Sequence, residues 1–385
     1  MKDPEIPTEQ PPGADGALLP SLLGDHPPLA ATGQTAARAF GQENRSRLLA
    51  AYFDEVDEVE PAQAWQHVYR LLLWTDRTTG LAHCYESDKC QPGRPWYARS
   101  LAFHAWVSQA LGVSAPTLGE HIDLLFRRAT ADLAVAAVNR RGQRATVADL
   151  QREPYAALGL PLPGDDPELE MIVTDVLAPY LTTEPPPEVL RDLTERIQVH
   201  VGQENKRKNL VGEGFEDTLA VLLERTPGFS NTHEVFVRPW LSDLPGFHRP
   251  RGSEKPRQVD LALLRHGDGK RTLVSCKWSV RSDREEQFAS DFRSYTELES
   301  AGEDFAYVLV TNEFDPARLA AACDARRQNA RLFTAVVHVN PSGPAAAYDA
   351  PGLPKRAAGG QSRALDHIKS GRLAGLASWI NDLQQ

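Results

Sequence analysis

The apolar residues in the first half of the chain recur at helical spacing. Val68, Leu71 and Leu72 show the interval, and similar runs continue through the segment. Such spacing places apolar side chains on one face of a helix. We therefore predict an all-α domain over residues 34–200. Residues 1–33 are rich in Pro, Gly and Ala and lack apolar periodicity, so we expect a flexible arm there.

The pattern changes after about residue 200, where short β-branched runs alternate with helical stretches. The turn His266–Gly269 between two such runs predicts a hairpin. The predicted elements are a helix over 213–225, strands over 234–237, 258–264 and 272–278, a helix over 286–299, a strand over 305–311, a helix over 316–329, a strand over 332–339, a linker over 341–362 and a helix over 364–383. This order predicts an α/β domain over residues 201–385, with a mixed central sheet flanked by helices.

Composition and charge narrow the classes of function. The chain has 385 residues, 41% hydrophobic and 24% charged, which is typical of a globular protein with two or three domains. Its net charge of −10 excludes a uniform positive coat for nucleic acid, so DNA binding needs a local basic surface. Residues 238–284 carry 11 Lys and Arg against 5 Asp and Glu. The loop 238–257 within them and the cluster Lys206–Lys208 are candidates for phosphate contacts.

Three features favour a cytoplasmic protein without a membrane partner. No apolar run approaches the roughly 18 to 20 residues that a membrane span needs. The N-terminal residues lack the apolar core of a signal peptide. The 4 cysteines are too few and too scattered for a disulfide framework.

Four features of the predicted α/β domain converge on one kind of chemistry. Glu216 lies on its first helix, Asp260 on one hairpin strand, Ser275 and Lys277 on the other, and Asp291 on the following helix. Two or three carboxylates beside a lysine form an oxygen site for Mg²⁺ next to a cation, as phosphodiester hydrolysis requires. Taken singly, each of these residues is more often a solvated charge on an exposed face.

The segment after this lysine resembles a known family. The run Lys277–Arg284 (KWSVRSDR), followed by an acid at Asp291, is similar to the signature of the CCGG-family type II restriction endonucleases, members of the PD-(D/E)xK nuclease superfamily. In that family a serine replaces the second acid of the D/E-x-K triplet, here Ser275, and the acidic role moves to the next helix. The resemblance covers about residues 213–295 and implies a restriction-endonuclease-like fold.

The resemblance implies a role for each candidate residue. Asp260, Asp291 and Glu216 would hold Mg²⁺, and Lys277 would assist the attacking water, with Ser275 beside them in the catalytic set. The pattern departs from the superfamily because Val259 stands in place of proline.

A second departure concerns the acid on the helix. Asp291 stands where the family usually has glutamate, and its shorter side chain needs a closer backbone. Glu286 is therefore a rival for the same role.

Arg281, Asp283 and Arg284 are the candidate DNA-binding residues. The resemblance implies that they read bases. Arginine donates two hydrogen bonds to guanine and aspartate accepts from cytosine, so this run suits G·C pairs in the major groove. The competing interpretation is a solvated helix start with Ser282 or Asp283 as N-cap.

These observations predict a Mg²⁺-dependent type II restriction endonuclease that cuts double-stranded DNA at a palindrome with a CCGG core. The resemblance implies 5′-phosphates, 5′ overhangs, a homodimer or higher homo-oligomer, and a cognate DNA methyltransferase as partner in the same system. Two alternatives stay open: a nuclease directed by DNA structure or modification, and a sequence-specific DNA-binding protein with a decayed site.

Overall fold

The structure is a computed structural model that describes most of the chain from residue 40 onward. The described residues are 40–76, 81–83, 90, 92–94, 96–118, 122–130, 167–183, 185–250, 256–280, 284–300, 304–349 and 359–385. The predicted arm over 1–33 lies outside them.

The N-terminal part is mainly helical, as predicted. Its helices are α1 (Gln42–Phe53), α2 (Ala64–Leu72), α3 (Tyr97–Leu111) and α4 (Pro167–Leu177), and residues 124–130 are helical as well. It is not all-α, however, because two short strands, β1 (Trp74–Asp76) and β2 (Leu81–His83), pair antiparallel.

Helix α5 (Pro187–Glu224) has 38 residues and is the longest described element. At 1.5 Å per residue it spans about 57 Å. It begins with Pro187 in its first turn, where proline leaves no helical hydrogen bond unmade. The helix predicted over 213–225 is therefore only its C-terminal third. The predicted domain boundary at 200/201 lies inside this helix.

A six-stranded mixed sheet forms the centre of the second half. Its strands are β3 (His233–Val237), β4 (Leu261–Arg265), β5 (Arg271–Lys277), β6 (Phe305–Thr311), β9 (Ala335–His338) and β10 (Leu373–Gly375), and the hairpin β7 (Arg326–Arg327) and β8 (Ala330–Arg331) lies outside the sheet. The order across the sheet is β10-β9-β6-β5-β4-β3. β3, β4 and β5 pair antiparallel, whereas β5, β6, β9 and β10 pair parallel. The prediction of a mixed sheet is confirmed.

Further helices flank this sheet. They are α6 (Phe229–Thr232), α7 (Arg284–Leu298), α8 (Pro316–Asp324), α9 (Ser342–Tyr348), α10 (Gly359–Lys369) and α11 (Leu376–Leu383), and short 3₁₀ turns occur at Pro61–Gln63, Ala115–Thr117, Ala178–Tyr180 and Leu241–Asp243. These bounds confirm the helix predicted after the hairpin and the mixed α/β character of this half.

Three predicted elements in the last third of the chain were wrong in detail. The helix over 316–329 stops at Asp324, because the chain turns back through Gln328, which has a left-handed φ of 48°, to form β7 and β8. The linker over 341–362 contains α9. The terminal helix is two helices, since Gly371, with φ of 71°, breaks it and β10 follows.

The hydrophobic core is continuous across the described residues. It runs from Leu48 in α1 through the sheet to Ile380 in α11. The Arg225 guanidinium donates to the carbonyl oxygens of Phe53 and Val56 at 3.0 and 3.2 Å. The N-terminal helices thus pack on the helix that leads into the sheet, and a separate N-terminal domain stays a prediction.

None of the helices in the described part of the chain combines the length and hydrophobicity needed to cross a membrane.

Candidate active site

Asp260, Ser275 and Lys277 meet at one end of the β4–β5 pair. Leu261 lies opposite Val274 in the antiparallel register, so the residue before Leu261 lies beside Ser275. The Lys277 Nζ atom is 2.5 Å from Asp260 Oδ2. The structure brings these three predicted residues together because strand alternation puts Ser275 and Lys277 on the same face.

Two further donors converge on the same oxygen. The backbone N–H of Cys276 donates to Asp260 Oδ2 at 2.8 Å, and Ser275 Oγ lies 3.4 Å away. The Cys276 thiol itself is buried, and burial raises its pKa well above the ordinary value. The contribution of this cysteine to the cluster is its backbone N–H, which orients Asp260.

The Lys277 ammonium is a cation at neutral pH. Burial alone would lower the pKa of Lys277, but the charge and hydrogen bond of Asp260 raise it above its ordinary value. The side chains of Lys277 and Asp260 remain 25% and 24% exposed. The pair is thus accessible to a ligand and partly screened by solvent.

Glu216 on α5 lies near this pair. Its residue is 8% exposed. Burial raises the pKa of Glu216 to about 7, with a further upward contribution from the charge of Asp260, whereas Arg238 and Lys277 lower it. The electrostatic coupling places Glu216, Asp260 and Lys277 in one charged cluster.

Arg238 is part of the cluster in a way that the sequence did not reveal. Its Nη1 donates to Glu216 Oε2 at 2.7 Å, and its Nη2 donates to Asp217. Its backbone N–H donates to the carbonyl oxygen of Asp260 at 2.9 Å. The Arg238 φ of 49° lies in the left-handed region, a conformation that costs a non-glycine residue on the order of 1 kcal/mol. A side chain expected to contact phosphates instead bridges two acids of α5.

Arg45 of α1, in the N-terminal part, pairs with one of these two acids, Asp217, and with Glu213. This residue is 2% exposed. Its Nε donates to Asp217 Oδ2 at 2.6 Å, and its Nη1 is 2.5 Å from Glu213 Oε2. Asp217 is thus held between two arginines. Neither Arg45 nor Asp217 belongs to a recognisable motif, so spatial proximity alone identifies them.

Asp291 lies on the buried side of α7, close to the sheet. It is three residues after buried Phe288 and four before buried Tyr295. Burial raises the pKa values of Tyr295 and Tyr307, and the charges of Asp291 and Asp260 raise them further. Both carboxylates therefore act on the same pair of hydroxyls.

Glu286, the rival for the role of Asp291, points elsewhere. Five residues along a helix correspond to about 140° around its axis, and Glu286 is exposed. Its position favours Asp291 as the acid contributed by α7.

The candidate base-reading residues are only partly visible. Arg281 and Asp283 lie outside the described residues, and Arg284 begins α7. Of the basic cluster Lys206–Lys208, Arg207 is buried, 4.6 Å and 4.4 Å over the rings of Trp74 and Phe126. The expectation of a phosphate contact is therefore wrong for Arg207.

The donor set suits Mg²⁺ although it is not a closed cage. Among the described residues, no group of three or more His, Cys, Asp and Glu side chains is arranged to hold a metal ion. Mg²⁺ nevertheless binds through one or two carboxylates, with water and substrate phosphate completing its coordination. Glu216 and Asp260 provide two, and the effect of Asp260 on the pKa of Glu216 is the repulsion that a cation relieves. The three-ligand set with Asp291 stays a prediction.

Comparison of the chain with models of known protein families gives no match, and comparison with curated protein sequences gives no significant match.

Proposed function

We propose that the protein is a Mg²⁺-dependent endonuclease that hydrolyses phosphodiester bonds of double-stranded DNA. The observation that carries the proposal is the pairing of Lys277 with Asp260 at 2.5 Å, beside Ser275 and within electrostatic reach of Glu216. A partly exposed cation next to carboxylates is suited to a substrate with a negatively charged phosphate.

Each residue of the cluster has a part in this hydrolysis. The Lys277 ammonium orients the attacking water and stabilises the negative charge that develops on the phosphate. Water loses one proton to solvent as its oxygen bonds to phosphorus, the bond to the 3′ oxygen breaks, and that oxygen takes up a proton from solvent, so the products are a 5′-phosphate and a 3′-hydroxyl. Ser275 and the Cys276 N–H keep the Asp260 carboxylate oriented.

Asp260 and Glu216, with Asp291 from α7, are the residues that would hold the ion. Mg²⁺ when bound neutralises phosphate charge and lowers the pKa of water. Glu216 must be ionised to bind it, and its pKa of about 7 ties binding to pH.

The specificity rests on the resemblance of KWSVRSDR to the CCGG family. On that basis we propose a type II restriction endonuclease that reads a palindromic CCGG core with Arg281, Asp283 and Arg284. It would act as a homodimer or larger homo-oligomer and leave 5′-phosphates and 5′ overhangs. A cognate methyltransferase would protect the host DNA. The mixed sheet flanked by helices supports the restriction-endonuclease-like fold.

The test is plasmid cleavage in Mg²⁺, with sequencing of the DNA ends. We expect cleavage only of a plasmid that contains CCGG sites, and its loss in Lys277→Ala. Lys270→Ala is the matched control, because Lys270 lies on the same hairpin, exposed, at its other end.

The outcomes separate the parts of the proposal. Full activity of Lys277→Ala would overturn the mechanism. Equal cleavage of plasmids with and without CCGG would leave a nuclease directed by structure or modification. Selective binding without cleavage would indicate a decayed site.

A further inference from the structure

The loop that follows β6 contains a buried carboxylate that is not part of the charged cluster. Glu313 is 4% exposed. Its Oε1 accepts the N–H groups of Phe314 and Asp315 at 2.8 and 2.7 Å. Its Oε2 accepts the N–H of Val280 at 2.6 Å. One carboxylate therefore joins its own loop to a distant piece of backbone.

Val280 lies between the proposed catalytic and base-reading residues. It is three residues after Lys277 and directly precedes Arg281. Residues 278–280 have no regular secondary structure. The same loop holds them at a second point, because the N–H of Asn312 donates to the carbonyl oxygen of Trp278 at 3.1 Å. The path of the chain out of β5 is thus set by this loop.

The loop does not need Glu313 to begin its helix. Asp315 is the N-cap of α8, where its Oδ1 accepts the N–H groups of Ala317 and Arg318 at 2.8 and 3.3 Å. Burying a carboxylate is costly unless it is well paired. Burial raises the pKa of Glu313 to about 7, although its N–H partners and Arg318 lower it. The hydrogen bond to Val280 is the contact that the Glu313 carboxylate makes outside its own loop.

We propose that Glu313 is a positioning residue that fixes Val280, and thereby the distance between Lys277 and the bases read by Arg281, so that it sets sequence discrimination without touching DNA. This inference rests on the proposed function. Val280 is bonded directly to Arg281, so releasing its N–H from Glu313 loosens the backbone through which Lys277 and the base-reading residues are connected.

The decisive variant is Glu313→Gln. An amide has one acceptor oxygen, so it can serve the N–H groups of its own loop or that of Val280, but not both; its NH₂ then faces a donor. The substrates are a duplex with the site read from the ends that the wild type produces, and the same duplex with one base pair changed. We expect the ratio of their cleavage rates in Mg²⁺ to fall about tenfold.

Two further variants test whether the loss of discrimination comes from the bond between Glu313 and Val280. Asp315→Ala removes the cap of α8 in the same loop and leaves Val280 bonded, so it should lower the melting temperature with an unchanged ratio. Val280→Pro removes the N–H from the other side of the bond. It should reproduce the loss of discrimination even where Glu313→Gln fails to fold.

The outcomes distinguish this inference from the proposed function. A wild type that cleaves no DNA overturns both. A wild type that cleaves both duplexes equally overturns the proposed sequence specificity, and with it the role of Glu313, but leaves the nuclease. A discriminating wild type with an unchanged ratio in Glu313→Gln or Val280→Pro overturns the role of Glu313 alone. An equal loss of discrimination in Asp315→Ala also overturns it, since general damage to the loop would then explain the effect.

Discussion

Glu216 and Glu313 are two buried glutamates whose pKa values burial raises to about 7. Their partners differ in kind. Glu216 faces side-chain charges, namely Arg238, Asp260 and Lys277. Glu313 faces mainly backbone N–H groups of its surroundings. The environment of Glu216 therefore changes when one of these side chains moves or an ion binds. The environment of Glu313 is mainly backbone, with the Arg318 guanidinium 3.8 Å from its Oε2 as the charged side chain.

This difference in partners distinguishes a responsive site, the cluster around Asp260 and Lys277, whose charges are open to solvent, from a fixed site, the enclosed carboxylate of Glu313. The side chains of Asp260 and Lys277 are about a quarter exposed, and that of Glu313 is 5% exposed. Exposed charges exchange partners with solvent ions, while a carboxylate enclosed by amides keeps its geometry. The end of the hairpin is thus suited to chemistry, and the loop after β6 to holding shape.

The largest expected effect comes from Asp260→Asn in the responsive site. The change removes the charge that pairs with Lys277 and a proposed metal ligand, so Mg²⁺-dependent cleavage should fall about 10³-fold. Single-turnover cleavage measures it. Asp268→Asn, in the exposed turn of the same hairpin, should cleave like the wild type; a similar loss there would point to hairpin damage.

Arg45→Ala should produce the largest loss of stability. Removing Arg45 takes away one of the two arginines that hold buried Asp217 and leaves Arg238 as its charged partner, at a cost of about 3 kcal/mol. Urea unfolding followed by circular dichroism measures it. Arg196→Ala breaks an exposed pair with Asp192 and should cost less than about 1 kcal/mol. Similar losses in the two variants would contradict the buried role of Arg45.

Glu313→Gln should change how stability depends on pH. A raised pKa means that the folded state holds the proton more tightly, so the contribution of Glu313 is complete below pH 4.5 and lost as pH rises to about 7. Its full size is roughly 3 kcal/mol. The free energy of unfolding of the variant should not show this decrease between pH 4.5 and about 7.

Because His338 also titrates, the quantity to compare is the difference in the free energy of unfolding between the wild type and Glu313→Gln. Burial lowers the pKa of His338 to about 4, so its contribution grows as pH rises through the same window. That contribution is common to the wild type and the variant. Parallel pH profiles of unfolding would show that Glu313 titrates as an ordinary surface acid.

The smallest expected effect is a shift of the pH profile in Arg238→Gln. Arg238 lowers the pKa of Glu216, so its loss should move the acidic midpoint of Mg²⁺-dependent cleavage upward by about one pH unit. Arg257→Gln removes an exposed charge from the same loop and should weaken DNA binding without moving the midpoint. If the midpoint of Arg238→Gln does not move, Glu216 is not the group whose titration limits cleavage.

The parts predicted from the sequence depend on contacts between neighbouring elements. The turn at His266–Gly269 fixes the register of β4 and β5, and the register brings Asp260 to Ser275 and Lys277. Strands β3, β4, β5, β6 and β9 were predictable for the same reason, since two-residue alternation and turn chemistry are local. β10 was not predicted, because it lies inside the stretch assigned to one terminal helix.

The parts that could not be predicted depend on distant partners. Arg45 and Asp217 are 172 residues apart, and Val280 and Glu313 are 33 apart. The sequence does not distinguish an arginine or glutamate that is buried from one that is solvated. Only the packing of the folded chain determines which it is. Arg207 shows the error this causes, because a basic cluster indicated a surface that the fold buries.

The bond between Arg45 and Asp217 also limits how early during synthesis α1 can pair with α5. A ribosome adds about 5–20 residues per second, so α1 emerges roughly 10 to 35 s before its acidic partner. During that interval a guanidinium destined for the interior has no carboxylate to neutralise it. The contact between α1 and α5 therefore forms only after the C-terminal third of α5 has left the ribosome.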